Sequence, residues 1–226
     1  MDTGYSSGIF EFIRQDASGN TLDTFEAQIR KAKSRTDEPT RKSATKQVTK
    51  LEQAVILCGG LGNRLRPHTD HLPKPMIPCN GKPFLLYLLQ QMEEQGIQRF
   101  ILLTGYLAEK IEQYFKDGSK WGWEIQYSQG PAEWDTGKRI WEAKEKLDER
   151  FLLLYSDNFV PFPMNKLLAL HKKNRLPLTF MVSLKSPGNI ALDENGIVQK
   201  YDNTRSKELE YVEIGYMILE KERTLK

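Results

Sequence analysis

Three short apolar runs constrain this chain more than anything else in it. "QAVILC" from Gln53 to Cys58, "RFILLTG" from Arg99 to Gly105 and "FLLLYS" from Phe151 to Ser156 are apolar along their length. A strand with one wet face alternates polar and apolar residues. These do not alternate, so each belongs in a sheet covered on both faces. Helical segments lie between and after them. "PFLLYLLQQMEEQG" has Pro83 near its start and Gly96 at its end. "LAEKIEQYF", "GKRIWEAKEKL" and "NKLLALHKKN" are also helical in pattern, while "WEIQYS", "LTFMVSL", "GIVQKYD" and "YVEIGYMIL" read as further strands. "DENG", Asp193 to Gly196, is a hairpin turn signal. Such alternation predicts an α/β sandwich around a largely parallel sheet.

With 226 residues the chain has room for one sizeable domain and an appendage. The appendage is expected at residues 1–52. "KAKSRTDEPTRKSATKQVTK" is polar and mixed in charge, as in a linker or disordered arm. "TLDTFEAQIRKAK" before it could form one short helix with Leu22, Phe25 and Ile29 on one side, and no chemistry is assigned to it. A net charge of +3 is too mild to imply nucleic acid. No run reaches the roughly 18 apolar residues of a membrane span, and the start lacks a signal-peptide pattern. Cys58 and Cys79 are an isolated pair, which argues against a disulfide framework and for the cytosol.

Ligands of open α/β sheets bind at the carboxyl ends of strands, and the turn after "QAVILC" is such an end. Gly59, Gly60 and Gly62 let the backbone approach an anion and aim its N–H groups at it. The turn is neither G-x-G-x-x-G, as a Rossmann oxidoreductase needs, nor a P-loop. Arg64 follows, where a guanidinium can lie over a polyphosphate. Lys74 stands between Pro73 and Pro75, which restrict the backbone and hold the ammonium ready. Arg66 is read as solvated charge.

The stretch "GGLGNRLRPHTDHLPKPMIPCNGKPF" resembles the signature of the sugar-1-phosphate nucleotidyltransferases, and within them the bacterial heptose- or hexose-1-phosphate (mannose-1-phosphate) guanylyltransferase-like branch. The likeness continues through "GYLAEKIEQYF", "FLLLYSDNFV" and "YVEIGYMIL", from Gln53 to about Glu220. It implies a catalytic domain over 53–226 with a Rossmann-like three-layer sandwich and a mixed, mostly parallel sheet of the nucleotide-diphospho-sugar transferase type. The reaction implied joins a nucleoside triphosphate, GTP favoured, to a sugar 1-phosphate and releases pyrophosphate, for bacterial surface glycan such as lipopolysaccharide. Carried onto matching positions, Leu57, Gly59, Gly60, Gly62, Asn63, Thr136 and Gly137 bind the nucleotide. Arg64 binds the leaving polyphosphate, Lys74 contacts phosphates of both substrates, and Asp157 holds Mg²⁺. Asp202, Glu213 and Gly215 serve the sugar phosphate. His68, His71 and His171 have no catalytic part.

Three departures accompany the likeness. The family's L-G-T-A/G-G element is "WDTGK" here, with Asp135 and Lys138 where glycines are usual. An acidic-Lys pair is replaced by Asp202-Asn203, leaving Lys200 or Arg205 as candidate cations. A second metal-binding Asp lies further on in family members, past Lys226, so the domain is expected to be C-terminally incomplete, with uncovered sheet edges that favour self-association into a homo-oligomer. The alternative function is a nucleotide-sugar sensing or regulatory subunit that binds without turnover.

Overall fold

The computed structural model describes residues 50–225. The expectations for an arm and a short helix therefore fall outside the described residues, except at Lys50 to Glu52.

The first apolar run forms β1, Gln53–Leu57. A two-residue hairpin follows, β2 (Pro78–Cys79) and β3 (Lys82–Pro83), and leads into helix α1, Phe84–Glu94. Next come β4 (Arg99–Thr104), α2 (Ala108–Phe115), β5 (Glu124–Gln129), α3 (Thr136–Glu142) and β6 (Arg150–Tyr155). Helix α4 spans Met164–Asn174. Strands β7 (Leu178–Leu184), β8 (Gly188–Leu192), β9 (Val198–Ser206) and β10 (Tyr211–Glu220) complete the sheet, and α5 covers Lys221–Thr224.

The main sheet runs β5-β4-β1-β6-β10-β8-β9, with β7 paired to β10. β5, β4, β1 and β6 are parallel, and β10 turns antiparallel to β6. The doubly apolar runs are the three central parallel strands, which the absence of alternation requires. Ala54 and Ile56 face one core with Leu102, Leu152 and Leu154, against α1, α2 and α4. Val55 faces the other with Ile101, Leu103 and Leu153, against Ile140 and Ala143 of the α3 segment and Leu147 beyond it. Burying each such Leu or Ile contributes about 1.5–3 kcal/mol.

Chain direction explains why α3 lies on the second face. From β1 the chain steps to β4 and then β5, with α1 and α2 on one side. It then returns across the sheet to β6, on the far side of β1. Right-handed crossovers in opposite directions put their helices on opposite faces. The reversal makes a crevice between the carboxyl ends of β1 and β6, the usual place for a ligand.

The strands predicted over "LTFMVSL", "GIVQKYD" and "YVEIGYMIL" form β7, β9 and β10. The helix expected over "GKRIWEAKEKL" stops as α-helix at Glu142 and tightens to a 3₁₀ turn at Lys144–Lys146. β8 was unforeseen, and so was the β2–β3 hairpin.

Candidate active site

Past β1 the chain crosses Cys58 to Gly62. The Cys58 amide still donates to Leu103 O at 2.9 Å, so the backbone leaves the sheet only at Gly59. Burial pushes the Cys58 thiol up to about 12, which makes it filler and not a nucleophile. Gly62 has φ 65°, and a Cβ there would sit 2.9 Å from Thr69 Cγ2. Both facts demand glycine. Thr69 Oγ1 donates to Gly62 O at 3.0 Å, and Tyr106 Oη donates to Thr69 O at 3.0 Å. The turn is thus braced from the end of β4. A 3₁₀ turn, Asn63–Leu65, then carries Asn63 and Arg64 exposed to solvent. Arg66 pairs with Asp70 at 3.5 Å on the surface.

Lys74 opens a second 3₁₀ turn between buried Pro73 and Pro75. Its Nζ lies 2.8 Å from Oδ2 of Asp157, which follows β6. Ser156 Oγ donates to Leu57 O at 2.6 Å and draws the ends of β6 and β1 together. Lys74 and Asp157, far apart in sequence, thus meet across the crevice. They border a cleft of about 460 Å³. Leu57, Gly59, Gly60, Gly62, Thr136 and Asp135 also line it, with Trp134, Arg139 and Tyr155. Gly137 follows Thr136 into α3.

The residues expected to serve the sugar lie further along the rim. Asp202 on β9 accepts from Thr204 N and Oγ1, both at 2.9 Å, and from this turn its carboxylate is held below its ordinary range. Lys200 is 3.8 Å away. β10 shifts register between Glu213 and Met217, around Gly215. The Glu213 carboxylate accepts from the Gly215 amide and from the Tyr155 hydroxyl. Tyr155 lines the cleft, so Glu213 borders it through that ring.

Burial raises the Glu213 carboxyl above its ordinary range, and the Asp157 charge adds to this against the two hydrogen bonds. A raised acid contributes stability below its unfolded pKa that is lost as pH rises through the folded value. Glu213→Gln should therefore raise the melting midpoint at pH 7 by roughly 2 °C, and the gain should vanish near pH 4. Calorimetric scans at both pH values test it. An equal change at both would assign the effect to hydrogen bonding and not ionisation.

Three cleft residues carry roles not read from sequence. Asp135 caps α3, its Oδ1 accepting from Lys138 N at 2.7 Å, so its charge is spent partly on a helix start. The Trp134 ring occupies space that a side chain on Gly130 would need, and Lys138 Nζ stands 5.4 Å from that ring. Arg139 is buried and donates to carbonyls from three loops. A signal for it existed: Arg139 falls on the apolar stripe of Ile140, Ala143 and Leu147, where a charge needs a reason. His171 is buried too, held by Thr179 Oγ1 at 2.8 Å and Glu220 at 2.9 Å, away from the cleft. Among the described residues no cluster of three or more His, Cys, Asp or Glu could hold a metal, and no helix is long and apolar enough to cross a membrane.

A family model described as nucleotidyl transferase matches residues 53–213. A D-glycero-α-D-manno-heptose 1-phosphate guanylyltransferase of Campylobacter jejuni is 34% identical over 170 residues, covering 75% of this chain and 76% of the relative. One of the same description from Aneurinibacillus thermoaerophilus is 39% identical over 129 residues, covering 56% of this chain and 55% of the relative. A crystal structure of HddC from Yersinia pseudotuberculosis complexed with GMP-PN superposes with a TM-score of 0.66 at 24% identity, covering 78% of this chain and 80% of that one. This last likeness concerns the fold.

Proposed function

The chain belongs to the nucleotidyl transferase family, and from that premise we propose that it transfers a nucleoside monophosphate from a nucleoside triphosphate to a sugar 1-phosphate. The observation that carries the proposal is the Lys74–Asp157 pair facing the glycine turn across the cleft at the strand reversal. A sugar-phosphate oxygen attacks the α-phosphorus, its P–O bond forms, and the bond to pyrophosphate breaks. A phosphate monoester has a second pKa near 6, so near neutral pH the nucleophile is already ionised and needs no base. The work left is to gather polyanions and neutralise charge on the leaving group. Lys74 lies at the junction of both substrates, and Arg64 is free to fold over the leaving end.

Mg²⁺ is the proposed metal. It typically keeps several waters and takes one or two carboxylates plus substrate phosphates, so the Asp157 carboxylate beside a triphosphate cradle fits it. When bound it would supply charge neutralisation at the phosphates. Lys74 must then exchange Asp157 for a phosphate oxygen as substrates enter. Glu213, through Tyr155, is proposed for sugar hydroxyls. Guanine is favoured because both relatives named above are guanylyltransferases. The heptose in those names supports a product used for bacterial surface glycan. Two buried free cysteines suit the reducing cytosol.

A panel crossing GTP, ATP, CTP and UTP with mannose-, glucose- and heptose-1-phosphates, read by pyrophosphate release, tests this. Release is expected with GTP and a heptose or mannose 1-phosphate. Binding of a triphosphate without release from any pair would favour a sensing role, and no binding of any triphosphate would overturn the reading of the cleft.

A further inference from the structure

We infer that Arg139 is a positioning residue of the triphosphate site: its guanidinium turns the Gly59 carbonyl inward, so that the Gly60 amide faces the phosphates, and it sets behind the loop a positive charge with no ion-pair partner among the described residues. The inference rests on the cleft being a triphosphate site, as proposed above.

Arg139 is only 5% exposed. Its Nη1 donates to Thr104 O at 2.8 Å, and its Nη2 donates to Gly59 O at 3.2 Å and Pro131 O at 2.6 Å. These carbonyls end or follow β4, β1 and β5, so one side chain joins three loops of the rim. A guanidinium has five N–H donors and does not lose its proton, and three of the five are used here. Among the described residues no carboxylate forms an ion pair with it. Buried charges are normally paired, because an unpaired one costs far more than an apolar residue in its place. A polyanion arriving in the cleft it lines is the partner that would justify that cost.

Two glycines make room for it. A Cβ on Gly59 would fall 2.3 Å from the guanidinium carbon, and one on Gly105 would fall 2.8 Å from Nη2. Gly59 in the signature is thus required by the arginine beneath it as well as by any phosphate above. In a trans peptide the N–H points opposite to the C=O. Tying Gly59 O inward, with Tyr106 N at 3.3 Å as a second donor, therefore aims the Gly60 N–H outward. Gly60 has open space around it. Without Arg139 this plane is freer to rotate, and a carbonyl turned into the cleft would repel phosphate.

The test uses inorganic tripolyphosphate and GTP as probes on the full chain, with Arg139→Met and Arg139→Lys. Calorimetry gives affinities, thermal scans give folding, and ¹H–¹⁵N spectra follow the Gly60 amide. The Met variant is expected to bind tripolyphosphate at least about tenfold more weakly and to lose the downfield Gly60 shift that the anion causes in the parent. Lys, which keeps the charge, is expected to recover a substantial part of both. A folded Met variant that binds within twofold and keeps the Gly60 shift overturns the inference, and so does a folded Lys variant that recovers nothing. Should the Met variant not fold, the ¹⁵Nε resonance of Arg139 in the parent, assigned by its loss in the Lys variant, must move on adding tripolyphosphate. No movement would overturn it. A parent chain that binds neither probe overturns the triphosphate reading and this inference together.

Discussion

Lys74→Met is expected to lower kcat/KM for pyrophosphate release about a thousandfold, the upper end of what one electrostatic donor typically supplies. The stem is kept and the charge is removed. Two effects combine. Lys74 would no longer neutralise phosphate of either substrate, and Asp157, 2.8 Å away in the resting site, would face the triphosphate alone. Two like charges 4 Å apart at an effective dielectric near 20 repel by about 4 kcal/mol. The ion pair itself is partly exposed, with the Lys74 side chain at 20% and that of Asp157 at 25%, so its loss should move the melting midpoint little. The double variant Lys74→Met with Asp157→Asn separates the two effects. If Lys74 served only to pair Asp157, the double variant would regain activity. It should not, because both groups are proposed to face substrate. Steady-state rates and thermal scans of the single and the double variant decide the matter, and a Lys74→Met rate within threefold of the parent would remove Lys74 from the mechanism.

The inner half of the sheet was legible because burial on both faces leaves its mark in consecutive residues: Ala54, Val55 and Ile56 are each fully buried. In the outer half β7 and β9 stand where "LTFMVSL" and "GIVQKYD" predict strands, although β7 is nowhere fully buried and β9 is mostly exposed. β8 begins at Gly188, just after Pro187, a context that reads as a turn. What places it is the approach of Gly188 to the backbone of Leu209 and Tyr211, too close for any side chain. The β2–β3 hairpin was missed despite a legible signal. Asn80-Gly81 joins Cys79 to Lys82, both residues have positive φ, and Asn-Gly is a strong two-residue hairpin sequence.

The site divides in the same way. Lys74 stands out between two prolines and Asp157 follows from the family resemblance, and the structure brings the two within 2.8 Å of each other. Arg139 could not be named from spacing, since its partners Gly59, Thr104 and Pro131 are joined only by the sheet. Asp135 stands where the family has a glycine, and the structure makes it a helix cap, which gives the carboxylate at the rim of the cleft a structural part. Capping draws part of its charge onto the Lys138 amide.

Arg64→Ala is expected to lower turnover about 100- to 1000-fold while leaving the fold unchanged. The two arginines of "RLR" differ in one respect that decides between them. Arg66 is engaged with Asp70, whereas Arg64 pairs with no acid among the described residues and extends from an exposed 3₁₀ turn. Removing an exposed side chain without partners changes stability by no more than about 0.5 kcal/mol, so a large rate loss could not be ascribed to unfolding. The turn itself is anchored by Gly62 and the Thr69 bond, neither of which involves the guanidinium. If Arg64 acts on the leaving pyrophosphate, its loss falls on kcat more than on the affinity for sugar 1-phosphate. Arg64→Lys should then restore only part of the rate, because an ammonium supplies charge without the two-pronged grip on a phosphate. Initial rates across a grid of both substrates give kcat and each KM separately. A loss confined to the sugar-phosphate KM would move Arg64 to the other end of the cleft, and full recovery by lysine would reduce its part to charge alone.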